Sequence, residues 1–305
     1  MKTRAAFTMI ELIFVIVVMG IIGKFGVEFL AQAYKSFIFS NINNSLQSKS
    51  ASTVEFIASR LQYRIKDSVI ARDTTAGTFT GIGGATGENY DVLEWIGWDI
   101  DGFRGTTTPN WSGIMDLAHT NANTLTLVSP ETNTTSIQNL INILSYTDSG
   151  IDDAALYFIG SNSDVLTYYG WDGNLTTVNL QRGAIHPIKD KPAKLEQFIP
   201  SVGNLTGVDV YEYYQLAWTA YAISYTAGAN NMGKLTLHYD YQPWNGDTYL
   251  LKQDGSVTKS AVIMEDVSTF QFMSIGSIMK IQVCVKTDLT KSEDEYSLCK
   301  EKTIF

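Results

Sequence analysis

From Phe7 to Gly23 the chain is apolar at every position except Thr8 and Glu11, and apolar character resumes after Lys24 with FGVEFLAQA. About 20–25 residues are thus available, enough for a helix to cross a bilayer. Further on, Ile42, Leu46, Val54, Ile57, Leu61, Ile65 and Val69 fall at spacings of three, four and eight. That is one face of a helix, leaving Lys49, Arg60, Arg64 and Lys66 for its other faces. No proline precedes Pro109, and Gly20, Gly23 and Gly26 are the only weak points. The pattern therefore predicts one helix over 7–73 with its membrane part at about 7–30. It ends near Asp73, where DTTAGTFTGIGGATG opens a Gly/Thr-rich loop. From Phe7 to Arg72 such a helix is about 100 Å long at 1.5 Å per residue.

Beyond it the period changes from that of a helix to that of strands. TLTLV (124–128) and ALYFI (155–159) read as short β runs, and VLTYYGWDGNLTTV as a hairpin turning at Trp171–Asn174. In KLTLHYDYQPWNGDTYLL, Leu235, Leu237, Tyr239 and Tyr241 alternate with Thr236, His238, Asp240 and Gln242. Pro243 to Asp247 then turns the chain, and TYLLKQDGSV follows with an Asp-Gly turn. Near the end Ile281, Val283 and Val285 alternate with Lys280, Gln282, Cys284 and Lys286. The fold class is α+β, a long N-terminal helix packed on an antiparallel β-sheet head over 74–305. No internal repeat or long linker demands a second domain.

Composition agrees. Hydrophobic residues make up 45% and charged residues 17%, enough apolar side chain for a large core. The net charge of −9 and scattered basic residues argue against a nucleic-acid partner, which needs clustered Lys and Arg. The two cysteines, Cys284 and Cys299, stand close together; in an exported protein they make a natural disulfide.

The N-terminus settles the compartment. MKTRAA places Lys2 and Arg4 before the apolar run, which keeps that end in the cytoplasm and sends the rest across. A secretory signal would close with small residues after its apolar region; here the small residue, Ala6, precedes it. Glu11 is the sharper anomaly. A carboxylate within a membrane helix is costly unless paired, so it reads as functional.

AFTMIEL resembles the prepilin signature: a small residue, then Phe, Thr, two apolar residues, Glu and an apolar run. The resemblance implies a 1–6 leader cut between Ala6 and Phe7 by a prepilin peptidase, which also methylates the new amine. Phe7 becomes the N-terminus, and Glu11 the carboxylate that pairs with that amine during filament assembly. Ala6 stands where the family more often has Gly. Independently of the resemblance, an amine at Phe7 lies one helical turn from Glu11, or reaches the Glu11 of a neighbour; either neutralises both charges. The remainder is similar to the J-type (PulJ/PilW-like) minor pseudopilins of type II secretion and type IV pili, in the order helix, β-domain, late strand pair. This implies pilin-like packing and an inner-membrane, single-pass subunit with a periplasmic head that later joins a pseudopilus or surface pilus. Its partners would be other major and minor pilins and the inner-membrane assembly platform. The chain is longer than the family usually is, and about 81–149 reads as an insertion.

Signs of catalysis are lacking, and the expectation is a structural subunit rather than an enzyme. His119, His186 and His238 share no metal-ligand spacing and read as surface or loop residues. GIGGATG (81–87) misses the dinucleotide-binding spacing at Thr86 and reads as a loop after a helix. Asp99, Asp101 and Gly102 echo a calcium loop, a cation that some pseudopilins use. Phe103 and Asn110 fail the ligand positions of an EF-hand, so a turn is favoured and Asp99 and Asp101 remain the calcium candidates. Asn133-Thr134-Thr135 and Asn174-Leu175-Thr176 carry an acid two residues upstream, as bacterial N-glycosylation acceptors do. The aromatics of LEWIGWDIDGF and NWSGIMDL read mainly as core. Two further classes make distinct predictions: a tip adhesin needs a concave aromatic site in the inserted region, and an anchored enzyme needs perturbed carboxylates in a deep pocket.

Overall fold

The computed structural model describes residues 8–86, 89–120, 126–161, 164–173, 183–205, 208–229, 232–286 and 297–305. The chain forms two compact units, 1–49 and 50–305, and is α+β. Helix α1 runs Met9–Leu61. Its stretch from Met9 to Phe37 is exposed apolar surface with few interruptions, whereas Val54, Ile57, Ala58 and Leu61 are buried. The Arg60 guanidinium over the Tyr221 ring and the Lys302–Glu55 ion pair (2.7 Å) join these last turns to the head.

α1 stops twelve residues before the Asp73 expected from the stripe (73 − 61). Ile65 and Val69 are buried as the spacing requires, but not as helix. The Ile65 N–H donates to the Ile96 carbonyl (2.9 Å), and Ile70–Asp73 is strand β1. β-Branched residues fit a pleated surface, and pairing there outweighs modest helix propensity. Arg64 is buried rather than left on an outer face. It donates to the Leu61 carbonyl (2.8 Å), capping α1, and to the Ser277 carbonyl (3.0 Å).

β1 opens an eight-stranded antiparallel sheet ordered β13-β12-β11-β10-β9-β3-β1-β2. The strands are β2 Thr78–Gly81, β3 Val92–Gly97, β9 Thr219–Thr226, β10 Gly233–Tyr241, β11 Lys259–Ile275, β12 Ile278–Lys286 and β13 Ser297–Ile304. Between β3 and β9 the chain leaves this sheet and builds a second one, ordered β4-β7-β6-β5-β8. It consists of β4 Leu127–Val128, β5 Ala155–Phe158, β6 Ile185–Lys191, β7 Lys194–Pro200 and β8 Tyr214–Ala217, with helices α2 Ile100–Arg104 and α3 Thr134–Leu144. Gly97 and Thr219 are register partners, so the excursion starts and returns at one point of the main sheet.

The excursion from the main sheet spans 98–218, and the bounds 81–149 cross it, because Val92–Gly97 is a central strand of the main sheet. Both faces of the second sheet are covered. Ala155 and Tyr157 of β5 join a cluster with Ile96, Ala220 and Tyr241 of the main sheet. Leu156 and Phe158 join another with Ile137 and Ile141 of α3. That explains an unbroken apolar run at ALYF.

Two expected hairpins differ. Val165–Trp171 forms turns rather than a strand, and 174–182, the far side of that expected hairpin, lies outside the described residues. After β10 the chain makes a one-turn 3-10 helix at Pro243–Asn245, and Leu251 and Val257 form only an isolated bridge. β10 also departs from simple alternation. A register shift between Tyr239 and Tyr241 puts Asp240 at φ 61° and buries Asp240, Tyr241 and Gln242 together. Asp240 there accepts from Lys259 Nζ (2.7 Å) and from Ser149 Oγ (2.6 Å), tying the excursion to β10.

Candidate functional site

The residues that prompted the assembly reading lie at the start of α1. Ala6 and Phe7 fall outside the described residues. Thr8 is the residue before the first helical turn, and its carbonyl accepts from the Glu11 (3.1 Å) and Leu12 (3.3 Å) N–H groups. Glu11 reaches back to it: the carboxylate accepts from the Thr8 N–H (3.1 Å) and the Thr8 hydroxyl (3.0 Å). This is half of a capping box. The Thr-x-x-Glu spacing before an apolar run is the sequence signal for it, distinct from the prepilin resemblance that singled out Glu11.

Apart from Thr8, the described helical residues next to Glu11 are apolar and exposed. Met9 is 85% exposed, Ile10 77% and Phe14 69%. An 18-residue window of α1 has a mean hydropathy of 2.3 and none of it is buried, so this one helix is long and apolar enough to cross a membrane. The next two charges, Lys24 and Glu28, approach each other at 3.9 Å. Among the described residues no cation pairs with Glu11.

The calcium candidates separate by role. Asp99 is buried and caps α2: its carboxylate accepts from the Gly102 N–H (3.0 Å) and the Trp111 indole N–H (3.2 Å). Burial pushes its carboxyl up to about 6, although these donors hold it down. A Cβ on Gly102 would overlap Asp99 Oδ2, which explains why glycine follows Asp101 here. Asp101 lies on the exposed side of α2. Among the described residues no group of three His, Cys, Asp or Glu side chains is gathered to hold a metal.

Cys284 and Cys299 are bonded and are direct register partners on β12 and β13. The histidines need correction. His119 is exposed and bonds Asp116 (2.6 Å), but His186 on β6 and His238 on β10 are buried. His186 packs against the Phe158 ring, and burial pushes it down to about 4. His238 bonds Ser224 Oγ (2.9 Å) across β9 and β10, and burial lowers its pKa too. IHPI and LHYD place each histidine among strand residues whose two faces are both covered, which alternation alone could not reveal. GIGG (81–84) ends β2 and enters a 3-10 turn, so it follows a strand rather than a helix. Asn133 caps α3 through Ser136 N–H (3.0 Å), while Asn174 lies outside the described residues. Trp95 and Trp111 are core, as expected, whereas Trp98 stays partly open.

No family model, no curated protein and no solved structure matches this chain.

Proposed function

We propose that the chain is a minor pilin or pseudopilin subunit. In this reading it is cut between Ala6 and Phe7, methylated at the new amine, and packed through α1 into a short filament at the inner membrane. The observation that carries the proposal is the start of α1. Glu11, one turn from the cut, stands among exposed apolar residues of the helix, Met9, Ile10 and Phe14. In hydrocarbon that surface is satisfied by lipid or by other helices. Glu11 then needs a positive partner, and the free amine of Phe7 supplies one, in the same subunit or its neighbour. Thr8 holds the carboxylate toward the N-terminus, where that amine would lie.

The bulk of the head, residues 50–305, favours a place at or near the tip, since large heads stack poorly along a shaft. The subunit's work is then structural: priming assembly with other pilins, the prepilin peptidase and an assembly platform as partners, with no cofactor required.

The test has two parts. Mass spectrometry of the membrane-extracted protein should show a chain starting at N-methylated Phe7. Glu11→Ala should still insert and be cut, yet be lost from the filament fraction. Undiminished incorporation of Glu11→Ala would remove the carboxylate from the assembly mechanism, and absence of the parent protein from the filament fraction would leave only an inert single-pass anchor.

A further inference from the structure

The last turn of α1, the main sheet and the excursion meet at a cleft of about 220 Å³. Its walls are aromatic and aliphatic. Tyr221 on β9 and Tyr239 on β10 are direct register partners, so their rings share a face of the sheet. Trp98 adds a third partly open ring, and Leu144, at the end of α3, forms part of the rim. Ile143 and Tyr146 beside it are 72% and 81% exposed, so the rim continues as apolar surface.

Its polar groups are few and of mixed sign. The Arg60 guanidinium is held between two rings, 4.9 Å from the centre of Phe56 and 5.1 Å from that of Tyr221. The half-buried Arg60 side chain forms one wall of the cleft and keeps its charge at that wall. Asp101 offers an exposed carboxylate at the same cleft, while the Asp99 carboxylate already serves Gly102 and Trp111.

Charge selects the ligand class. Arg60 and Asp101 offset each other, so a free anion meets Asp101 and a free cation meets Arg60. The set instead matches a neutral molecule whose hydroxyls both donate and accept, and whose C–H face can lie on an aromatic ring. Size narrows it further. The cleft has room for one six-membered ring with its hydroxyls.

We propose that this cleft is a saccharide site that takes one neutral pyranose ring, laid against Tyr239 and hydrogen-bonded by the Arg60 guanidinium and the Asp101 carboxylate. The site belongs to the head alone. It stands or falls separately from the Glu11 assembly reading, because neither residue set touches the other's chemistry.

The test uses the full chain in a detergent without a sugar headgroup, such as lauryldimethylamine oxide. Saturation-transfer NMR is run with methyl pyranosides of the gluco, galacto, manno and N-acetylglucosamine series. At least one should bind saturably in the millimolar range, since one ring buries little surface. Arg60→Gln and Asp101→Asn should each weaken it about tenfold, the loss of one charge-assisted hydrogen bond. Tyr239→Leu should do the same without lowering the melting midpoint; Asp101 is exposed, so its variant keeps the test open if Tyr239→Leu fails to fold. Three results would overturn the proposal: no saturable transfer from any pyranoside, transfer in Arg60→Gln and Asp101→Asn undiminished from that of the parent protein, or displacement of the sugar by N-acetylphenylalaninamide at lower concentration. The last would mark a socket for a partner's apolar side chain instead.

Discussion

A buried acid and a buried histidine pull the head's pH dependence in opposite directions. His186, held down to about 4 by burial, stays neutral in the fold while an unfolded histidine takes up a proton below its ordinary 6.5. Its contribution is complete above pH 6.5 and is lost as pH falls toward 4, by up to about 3 kcal/mol. Asp99, pushed up to about 6, keeps its proton in the fold when an unfolded carboxyl has released it above 3.8. Its contribution is complete below 3.8 and is lost as pH rises through 6, also by about 3 kcal/mol. Between pH 4 and 6 the two oppose each other. His186→Phe should remove one of them, so that the variant gains stability relative to the parent protein as pH falls from 6.5 to 4. Urea titrations across that range read the difference; a pH-independent difference would mean His186 is not held neutral. At the same scale, Gly102→Ala should cost about 1–3 kcal/mol through overlap with Asp99, visible as a lower urea midpoint with unchanged slope.

Among the elements, the end of α1 and the β12–β13 pair are each held by a named device. Arg64 joins the Leu61 carbonyl to the Ser277 carbonyl in the β11–β12 turn. Arg64→Met keeps the apolar stem and removes both bonds, leaving the carbonyls unmet. It should cost about 1–3 kcal/mol in a chemical denaturation. Strand β13 is the edge of the main sheet, paired to β12 and joined to it by the Cys284–Cys299 bond. A disulfide closing a loop of this length stabilises by about 3 kcal/mol. Replacing both cysteines by serine should lower stability by that amount. It should also speed amide exchange in β13 well before β3 and β9, which lie inside the sheet. Equal acceleration across all these strands would show that the bond supports the whole head and not its edge.

For the head as a whole, the excursion and the main sheet share one core. Ala155, Tyr157 and Ile185 from the second sheet pack with Ile96, Ala220 and Tyr241 from the first. Segment 98–218 starts and ends at the Gly97–Thr219 pair, which looks like a removable insertion. The shared core says otherwise: deleting it would bare the main sheet's inner face. Calorimetry on the full chain should therefore show one transition for residues 50–305, with calorimetric and van't Hoff enthalpies equal. Two separate transitions would show the sheets to be independent.

Legibility follows range. The apolar run with Glu11, the stripe through Val54, Ile57 and Leu61, the β run at Ala155–Phe158 and the alternation of β12 were all readable, because each is a local period facing one environment. The end of α1 was not. Nothing between Leu61 and Asp73 is a local stop signal, and only pairing of Ile65 and Ile70 with β3 makes a strand the better state. The burial of His186, His238 and Asp240, and the true bounds of the excursion, depend on which segments lie opposite, which no local pattern encodes. The sequence by itself thus determined a membrane-competent helix with a carboxylate, Glu11, one turn from its start, followed by a β-rich head with a stapled edge. Tertiary structure alone decided where that helix stops, which strand belongs to which sheet, and that Arg60, Tyr221, Tyr239 and Asp101 share one cleft. The reason is that side chains far apart in the chain acquire a common environment only when the sheets close over them.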